Sequence, residues 1–163
     1  MSELSHLSPE GAIRMVDVGE KPVTVRCARA SARVRMEPAT QELIRQGGIA
    51  KGNVLETARL AGILAAKRTA TLIPLCHNIP LDHVELRFRF PDTQSVAIEA
   101  EARATARTGV EMESLVAASV AALTIYDMCK AADRAMVIEH VRLEEKWGGR
   151  SGHYVREASG IVE

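Results

Sequence analysis

The amino-acid sequence predicts a single α+β domain, with helices packed on one face of an antiparallel sheet. Two adjacent segments alternate apolar and charged residues, which is typical of paired strands with one buried face. Two other segments carry apolar residues at helical spacing behind polar capping residues. The 163 residues, 47% hydrophobic and 26% charged, suit one globular domain, residues 1–163. A flexible N-terminal segment (about 1–12) and a flexible C-terminal tail (about 145–163) are expected at its ends.

The first predicted strand covers residues 23–36. Its apolar positions have odd numbers up to Cys27 and even numbers from Ala28 onward. A β-bulge produces such a one-residue change of phase, so a bulge is expected midway along this strand. A short helix over residues 40–45 should follow and end at the pair Gly47 and Gly48.

The next helix is predicted over residues 54–68, because Asn53 can cap it and Glu56 stands three residues later in capping-box position. The segment IPLCHNIPL, residues 73–81, is bracketed by two prolines. Proline neither donates to a strand ladder nor continues a helix, so a stiff connecting loop is expected there.

Two strands are predicted over residues 84–90 and 96–106. The polar face of the first carries Arg87 and Arg89, and the polar face of the second carries Glu99. Opposite charges on neighbouring strands indicate an antiparallel hairpin with one solvated face.

A long helix over residues 112–132, with a box-like start at 108–111, and a last strand over 136–143 complete the order. Strand, helix, strand, strand, helix, strand is the ferredoxin-like pattern, with helices on one face of the sheet. Between residues 115 and 125 the last helix is apolar almost all round. One sheet face cannot cover such a helix, so a homo-oligomer is expected.

The formal net charge is zero, with 21 basic and 21 acidic residues. Because no excess positive charge is available to neutralise a phosphate backbone, nucleic acid is not an expected partner. The first eleven residues lack the apolar run of a signal peptide, and the longest apolar stretch, 115–128, is short for a membrane span. A soluble, cytoplasmic protein without a membrane partner is expected. The three cysteines, Cys27, Cys76 and Cys129, form neither a disulfide pattern nor a zinc pattern, so no metal site is predicted.

Lysine is rare among the basic residues, and Lys130 is the most informative of the five. It follows Asp127 by three positions, so the two side chains are neighbours on one helix face. Beside an apolar surface they could act as an acid/base pair, since lysine can lose its proton where arginine cannot. A helix-terminal salt bridge explains the same spacing.

Two segments could bind an anion. Lys51, Gly52 and Asn53 open the second helix, where free backbone N–H groups and an ammonium could hold phosphate, although a simple helix start has the same letters. Residues 146–152, KWGGRSG, form a glycine-rich basic loop without Walker A spacing. A mobile surface loop is the alternative there.

Cys76 and His77 suggest a nucleophile or a ligand contact. Adjacent residues in extended structure point to opposite sides, which makes a Cys–His catalytic couple unfavourable. His77 could still bind a ligand through hydrogen bonds. Glu111 and Glu113 stand at a helix start, where the helix dipole alone favours acidic residues. Lys21 and Lys67 are interpreted as surface residues.

Long segments of the chain resemble the cyclic pyranopterin monophosphate synthases of molybdenum-cofactor synthesis. The resemblance spans residues 15–152, and LIPLCH, GVEME and ALTIYDMCK are its most specific motifs. The other matching segments are MVDVGEKPVTVRCARA, KGNVLETARLAGILAAKRTATLIPLCHNIPL, TGVEMESLVAASVAALTIYDMCKA and the KWGGRSG loop.

The resemblance implies a ferredoxin-like homohexamer, a trimer of dimers with each active site at a dimer interface. It implies that a GTP-derived substrate, 3′,8-cyclised dihydroguanosine triphosphate, is converted to cyclic pyranopterin monophosphate with release of pyrophosphate. It requires no metal and no organic cofactor. Asp127 and Lys130 would be the catalytic pair. The substrate-binding residues would be Lys51, Leu75, Cys76, His77, Glu111, Met112, Glu113 and Lys146, with Arg26 and Arg107 as phosphate contacts.

The chain departs from the family in its last loop. Members often have lysine where this chain has Arg150, and a small residue where it has Trp147. Arg150 could hold phosphate but could not shuttle a proton, so Lys146 is the better candidate for that role. Two other classes of function stay open: an RNA-binding ferredoxin-like module, which would need exposed sheet aromatics, and a non-catalytic regulatory module that binds a small metabolite.

Overall fold

A computed structural model describes residues 11–150 and 152–157. The predicted N-terminal segment 1–12 therefore lies almost wholly outside the described residues, as do position 151 and residues 158–163 of the predicted tail. The elements are, in chain order, β1 (Thr24–Arg35), α1 (Pro38–Gln46), α2 (Val54–Ala66), α3 (Thr69–Leu72), β2 (His83–Arg89), β3 (Ser95–Ala106), α4 (Glu111–Cys129), β4 (Val137–Trp147) and β5 (Tyr154–Val155).

The five strands form one sheet in the order β2-β3-β1-β4-β5, and every neighbouring pair is antiparallel. One face carries Ala30, Ala32 and Val34 of β1, which are buried in the main core together with residues of α2 and α4. The α+β class and the antiparallel sheet are thus confirmed. Helices α2 and α4 pack against each other, and α4 lies over β1, β3 and β4 while α2 reaches β2.

The other face of the sheet carries ion pairs. The predicted β2–β3 hairpin is confirmed, because Arg87 lies opposite Glu99 with Nη1 3.0 Å from Oε1. Arg29 pairs with Glu145 on the same sheet. An RNA-binding module would need stacking surfaces on this face, and here the pleat presents charged groups instead.

The bulge predicted within β1 is wrong. The strand pairs with β3 in unbroken register, and the register shifts occur where it meets β4. The extra residues are Glu139 and Glu144, both in β4. The apolar phase changes in β1 because Cys27 and Ala28 are both buried, so the strand is covered on both faces at that point.

Helix ends follow the predicted chemistry at two places and depart from it at a third. Gly47 ends α1 in the left-handed conformation with φ 69°. The Asn53 side chain accepts a hydrogen bond from the backbone N–H of Glu56 at 3.1 Å. The predicted capping box before α4 is wrong, since its N-cap is Val110, which has no side-chain cap.

A single chain covers most of α4. Between residues 115 and 125 the sheet and α2 bury six side chains, Leu123 is exposed, and the rest (Leu115, Ser119, Val120 and Thr124) are half-buried. One chain thus covers much of the apolar helix without a second subunit, and the oligomer stays a prediction. Helix α4 is long and apolar enough to span a membrane, yet more than half of the tested span is buried inside the protein, as in the core helix of a soluble protein.

The sheet extends further towards the C-terminus than predicted. Strand β4 continues to Trp147, and Tyr154 of β5 pairs with Lys146. Positions 145–147 and 154–155, placed in the tail by the sequence, are therefore part of the sheet.

Gly62 provides a test of this packing. A Cβ added there would lie 2.5 Å from Leu86 Cδ2 and 3.0 Å from the carbonyl oxygen of Ala117. Alanine gains about 1 kcal/mol of helix propensity over glycine, but overpacking a core costs about 1–3 kcal/mol. We expect Gly62→Ala to lower the free energy of unfolding, measured by urea denaturation. In the double variant with Leu86→Ala the loss should be smaller than the sum of the single losses, and additive losses would contradict the packing described.

Candidate active site

Two adjoining pockets lie at the N-terminal end of α4. The first, of about 430 Å³, is named here the basic pocket, and the second, of about 380 Å³, the carboxylate pocket. They share Lys21, Thr108, Gly109 and Glu111. A ligand that fills both would pass Glu111 at their junction.

The basic pocket gathers cations from distant parts of the sequence. Its lining includes Lys21, Arg26, Arg107, Lys146 and Arg150, which come from β1 and the segment before it, from the residue after β3, and from the end of β4 and the loop that follows. The acidic group in its lining is Glu111, whose Oε1 lies 2.7 Å from Lys146 Nζ. This excess of positive charge suits a multiply charged anion.

Arg26 differs from the other cations of this pocket. It is 8% exposed, and each of its three nitrogens donates to a backbone carbonyl. Nε donates to Ala106 O at 3.4 Å, Nη1 to Gly148 O at 3.2 Å and Nη2 to Arg107 O at 3.3 Å. The guanidinium therefore joins the end of β3 to the loop after β4.

The carboxylate pocket contains the predicted residues of the proline-bounded loop and of the first turn of α4. Its lining includes Leu75, Cys76, His77, Glu111, Met112 and Glu113. His77 Nε2 lies 2.7 Å from the carbonyl oxygen of Val16. Because a carbonyl only accepts, Nε2 carries the proton, and Nδ1 of a neutral imidazole is left as an acceptor.

Burial sets the acid–base properties of this pocket. Glu113 is 4% exposed, and desolvation raises the pKa of its carboxyl group. Desolvation, with a smaller effect from the charge of Glu113, also raises the pKa of the Cys76 thiol. A thiol with a raised pKa is a poor nucleophile, so Cys76 fits a binding role better than covalent catalysis.

The remaining predicted residues form a separate cluster, named here the ion-pair cluster. Asp127 Oδ1 lies 2.7 Å from Lys130 Nζ, and its Oδ2 lies 2.8 Å from Lys51 Nζ. Lys51 also donates to the backbone carbonyl of Asp127 at 2.8 Å. All three side chains are about half exposed.

The two lysines shift the protonation equilibria of the cluster in the directions expected for ion pairs. The hydrogen bonds from Lys130 and Lys51 lower the pKa of Asp127 to about 2, and the hydrogen bond to Asp127 raises the pKa of Lys130. In the single chain this pair is thus a salt bridge, as the alternative interpretation of its spacing predicted. Lys51 contacts Asp127 at the helix end and lines neither pocket, so its predicted role in substrate binding stays a prediction.

The ion-pair cluster and the pockets lie at opposite ends of α4. Glu111 and Asp127 are sixteen residues apart in this helix, which is about 24 Å at 1.5 Å per residue. The two groups therefore cannot surround one small molecule within a single chain.

Lys21 and Arg150 are the site residues that sequence reasoning missed or doubted. Lys21 was interpreted as a surface residue, yet it lines both pockets, and Arg150 lines the basic pocket. The basic KWGGRSG loop was the signal for Arg150, whereas no local motif indicates Lys21, which the fold of the chain brings to the site. Within residues 11–150 and 152–157, no three His, Cys, Asp or Glu residues are arranged to hold a metal ion.

The lowered pKa of Asp127 is directly measurable. A carboxyl whose pKa is depressed in the folded chain stabilises the fold above its ordinary pKa of 3.8, and this contribution is lost as pH falls through about 2. We expect carboxyl NMR titration to show Asp127 ionised down to about pH 3. Its pKa should rise in Lys130→Met and, by less, in Lys51→Met, whereas Lys67→Met should leave it unchanged. A pKa near 3.8 in the parent chain would contradict the cluster.

Comparisons with known proteins identify the family of this chain. The family model described as the MoaC family matches residues 15–149. Three similar curated proteins are each named a cyclic pyranopterin monophosphate synthase. The Magnetococcus marinus protein is 58% identical over 97% of this chain and 98% of its own length. The Chloroflexus aggregans protein is 58% identical over 98% and 97%, and "synthase 3" of Mycobacterium tuberculosis is 54% identical over 97% and 89%. The family match includes the ion-pair cluster and the residues of the two pockets except Arg150, and we conclude that the chain belongs to the MoaC family.

Proposed function

We propose that this chain is a cyclic pyranopterin monophosphate synthase of molybdenum-cofactor biosynthesis, a lyase that acts in the cytoplasm. It converts (8S)-3′,8-cyclo-7,8-dihydroguanosine 5′-triphosphate to cyclic pyranopterin monophosphate and pyrophosphate, without a metal or organic cofactor of its own. One observation carries the proposal beyond the names of the relatives: a cationic pocket adjoins a pocket with a buried carboxyl group. The proposed substrate matches the two pockets, since its triphosphate suits the cationic pocket and its guanine-derived ring suits the pocket with the buried carboxyl group.

The triphosphate binds in the basic pocket. Arg107 and Lys146 contact it, and Lys21 and Arg150 add positive charge at the rim. Binding an anion there competes with Glu111 for Lys146, because the two are joined by the 2.7 Å ion pair. The lysine then exchanges one carboxylate for phosphate, and Glu111 is released towards the neighbouring pocket.

The ring system binds in the carboxylate pocket. Glu113 accepts N–H groups of the guanine-derived ring, which is the pairing that a buried carboxylate supplies. His77 offers Nδ1 as an acceptor, and Leu75, Cys76 and Met112 provide apolar contact. Burial is what makes these bonds selective, since water cannot replace them at low cost.

The catalytic groups come from a second copy of the chain. The ion-pair cluster is about 24 Å from the pockets along α4, so a complete site needs the cluster of one protomer beside the pockets of another. This supports a dimer with shared sites, and the resemblance to the family extends the dimer to a hexamer built as a trimer of such dimers. The strand order β2-β3-β1-β4 with antiparallel neighbours supports the ferredoxin-like topology within each protomer.

Asp127 and Lys130 act as the acid/base pair of the rearrangement, with Lys51 beside them. In the single chain the pKa of Asp127 is lowered and that of Lys130 is raised, which is the wrong direction for proton transfer near neutral pH. A covering protomer desolvates the cluster, and desolvation lowers the pKa of a lysine. The association of protomers is therefore the step that turns a surface salt bridge into a proton-transfer site.

The test is to supply the cyclised nucleotide and measure pyrophosphate release. A regulatory module would bind the nucleotide without releasing pyrophosphate, and that result would refute the proposed enzyme activity.

Within this assay the variant Lys130→Arg distinguishes a salt bridge from a proton carrier. General acid–base catalysis raises reaction rates by about 10²–10⁴-fold. Arginine keeps the positive charge of lysine but cannot release its proton near neutral pH. We expect Lys130→Arg to assemble and bind nucleotide, but to turn over at least about a hundredfold more slowly. Near-normal turnover would leave the pair a salt bridge.

The shared site predicts complementation between two inactive variants. Asp127→Asn damages the ion-pair cluster and His77→Ala damages the carboxylate pocket. In a mixed dimer one of the two composite sites contains neither change, so remixing equal amounts should restore about a quarter of the sites. Mixing Asp127→Asn with Lys130→Arg, which damage the same half, is the control and should restore nothing. Failure of the first mixture to regain activity after verified subunit exchange would contradict the shared site.

A further inference from the structure

The guanidinium of Arg26 lies under the loop that closes the basic pocket. Its side chain is almost fully buried, and it donates to carbonyls on both sides of the pocket, those of residues 106 and 107 at the end of β3 and that of Gly148 after β4. These three carbonyls accept from three different nitrogens of one side chain. Among the side chains only a guanidinium presents three N–H-bearing nitrogens in one plane.

Two glycines let the loop approach this guanidinium. Gly148 and Gly149 have φ values of 98° and 76°, in the left-handed region. A Cβ at Gly149 would overlap the Arg26 guanidinium, and one at Gly148 would overlap the carbonyl oxygen of Val25. Positions 148 and 149 therefore require glycine for two reasons, the left-handed backbone conformation and the lack of room for a Cβ atom where the loop backbone packs on Arg26.

The phosphate-binding candidates flank these anchored points. Lys146 precedes the glycine pair by two residues and Arg150 follows it directly, while Arg107 is itself the residue whose carbonyl Arg26 holds. Arg26 holds the backbone at Arg107 and at Gly148. The side chains of Arg107, Lys146 and Arg150 therefore start from fixed backbone positions. A cationic site has its full affinity only when its charges are already positioned before the anion arrives.

We propose that Arg26 is a positioning residue of the basic pocket: it holds the Gly148–Gly149 turn and the backbone of Arg107 so that the flanking cations converge on phosphate. This rests on the proposed function in one respect, that the basic pocket takes the triphosphate. It goes beyond the expectation that Arg26 is a phosphate contact, since three of the five guanidinium N–H groups already donate to carbonyls that hold the turn.

The experiment compares changes that remove the clamp from either side. Arg26→Lys keeps the charge but supplies one nitrogen in place of three, and Gly149→Ala leaves every charge in place but collides with the guanidinium. Gly47→Ala is the matched control, because Gly47 also has a left-handed φ of 69°, has no atom within 4 Å of an added Cβ and lies outside both pockets. Pyrophosphate binding to the full-length assembly is measured by titration calorimetry, with melting temperature and mass recorded for each variant.

We expect Arg26→Lys and Gly149→Ala each to weaken pyrophosphate binding by about tenfold or more, the effect of losing one charge-assisted contact. The double variant should be little weaker than either, because both changes break the same contact. Gly47→Ala should lose stability without losing affinity.

Three results would overturn the inference. Wild-type affinity in Gly149→Ala would mean that the turn need not be held, and equal loss in Gly47→Ala would mean that general destabilisation explains the effect. Additive losses in the double variant would separate Arg26 from the turn. A parent chain that does not bind pyrophosphate would instead refute the basic pocket as the triphosphate site, and the positioning role with it.

Discussion

Helix α4 packs on the sheet through alanine side chains, and the positions of the candidate site groups at its two ends depend on that contact. Ala30 and Ala100 on the central strands and Ala117 and Ala121 on the helix are fully buried in one core cluster. Side chains this small let the helix backbone approach the sheet closely and leave it one position. A second small cluster, which includes Val110, supports the start of α4 beneath the pockets. The start of α4 is thereby packed against the sheet, as its middle is.

Each half of the site contains ion pairs in the free chain. Lys146 is paired with Glu111 at one end of α4, and Asp127 lies between two lysines at the other. A ligand must therefore displace these partners as well as meet the excess positive charge of the basic pocket. Such exchange favours a substrate that offers both a strong anion for the cations and N–H groups for the released carboxylate. A simple anion satisfies only half of this requirement.

The sequence predicted what depends on neighbouring residues and missed what depends on the path of the chain. The alternation around Arg87 and Glu99 predicted the hairpin, and Asn53 predicted the start of α2, because pleat and capping are local. The bulge was misplaced because burial on both faces of β1 near Cys27 imitates a change of phase. Lys21 was dismissed because no local pattern distinguishes it, and β5 is too short to produce an alternation. Spacing brought Asp127 and Lys130 together correctly, but it could not indicate that they lie a helix length away from the residues of the motifs GVEME and LIPLCH.

Trp147, the sole tryptophan of the chain, lines the basic pocket. Trp147 is 38% exposed, and its ring meets that of His153 edge-on with centroids 6.3 Å apart. Its position beside the glycine turn means that the indole sits at the boundary between the protein and whatever anion the pocket admits. An indole in such a place emits light whose wavelength depends on how much water surrounds it. The molecule therefore carries its own optical indicator of occupancy, with no second tryptophan to obscure the signal.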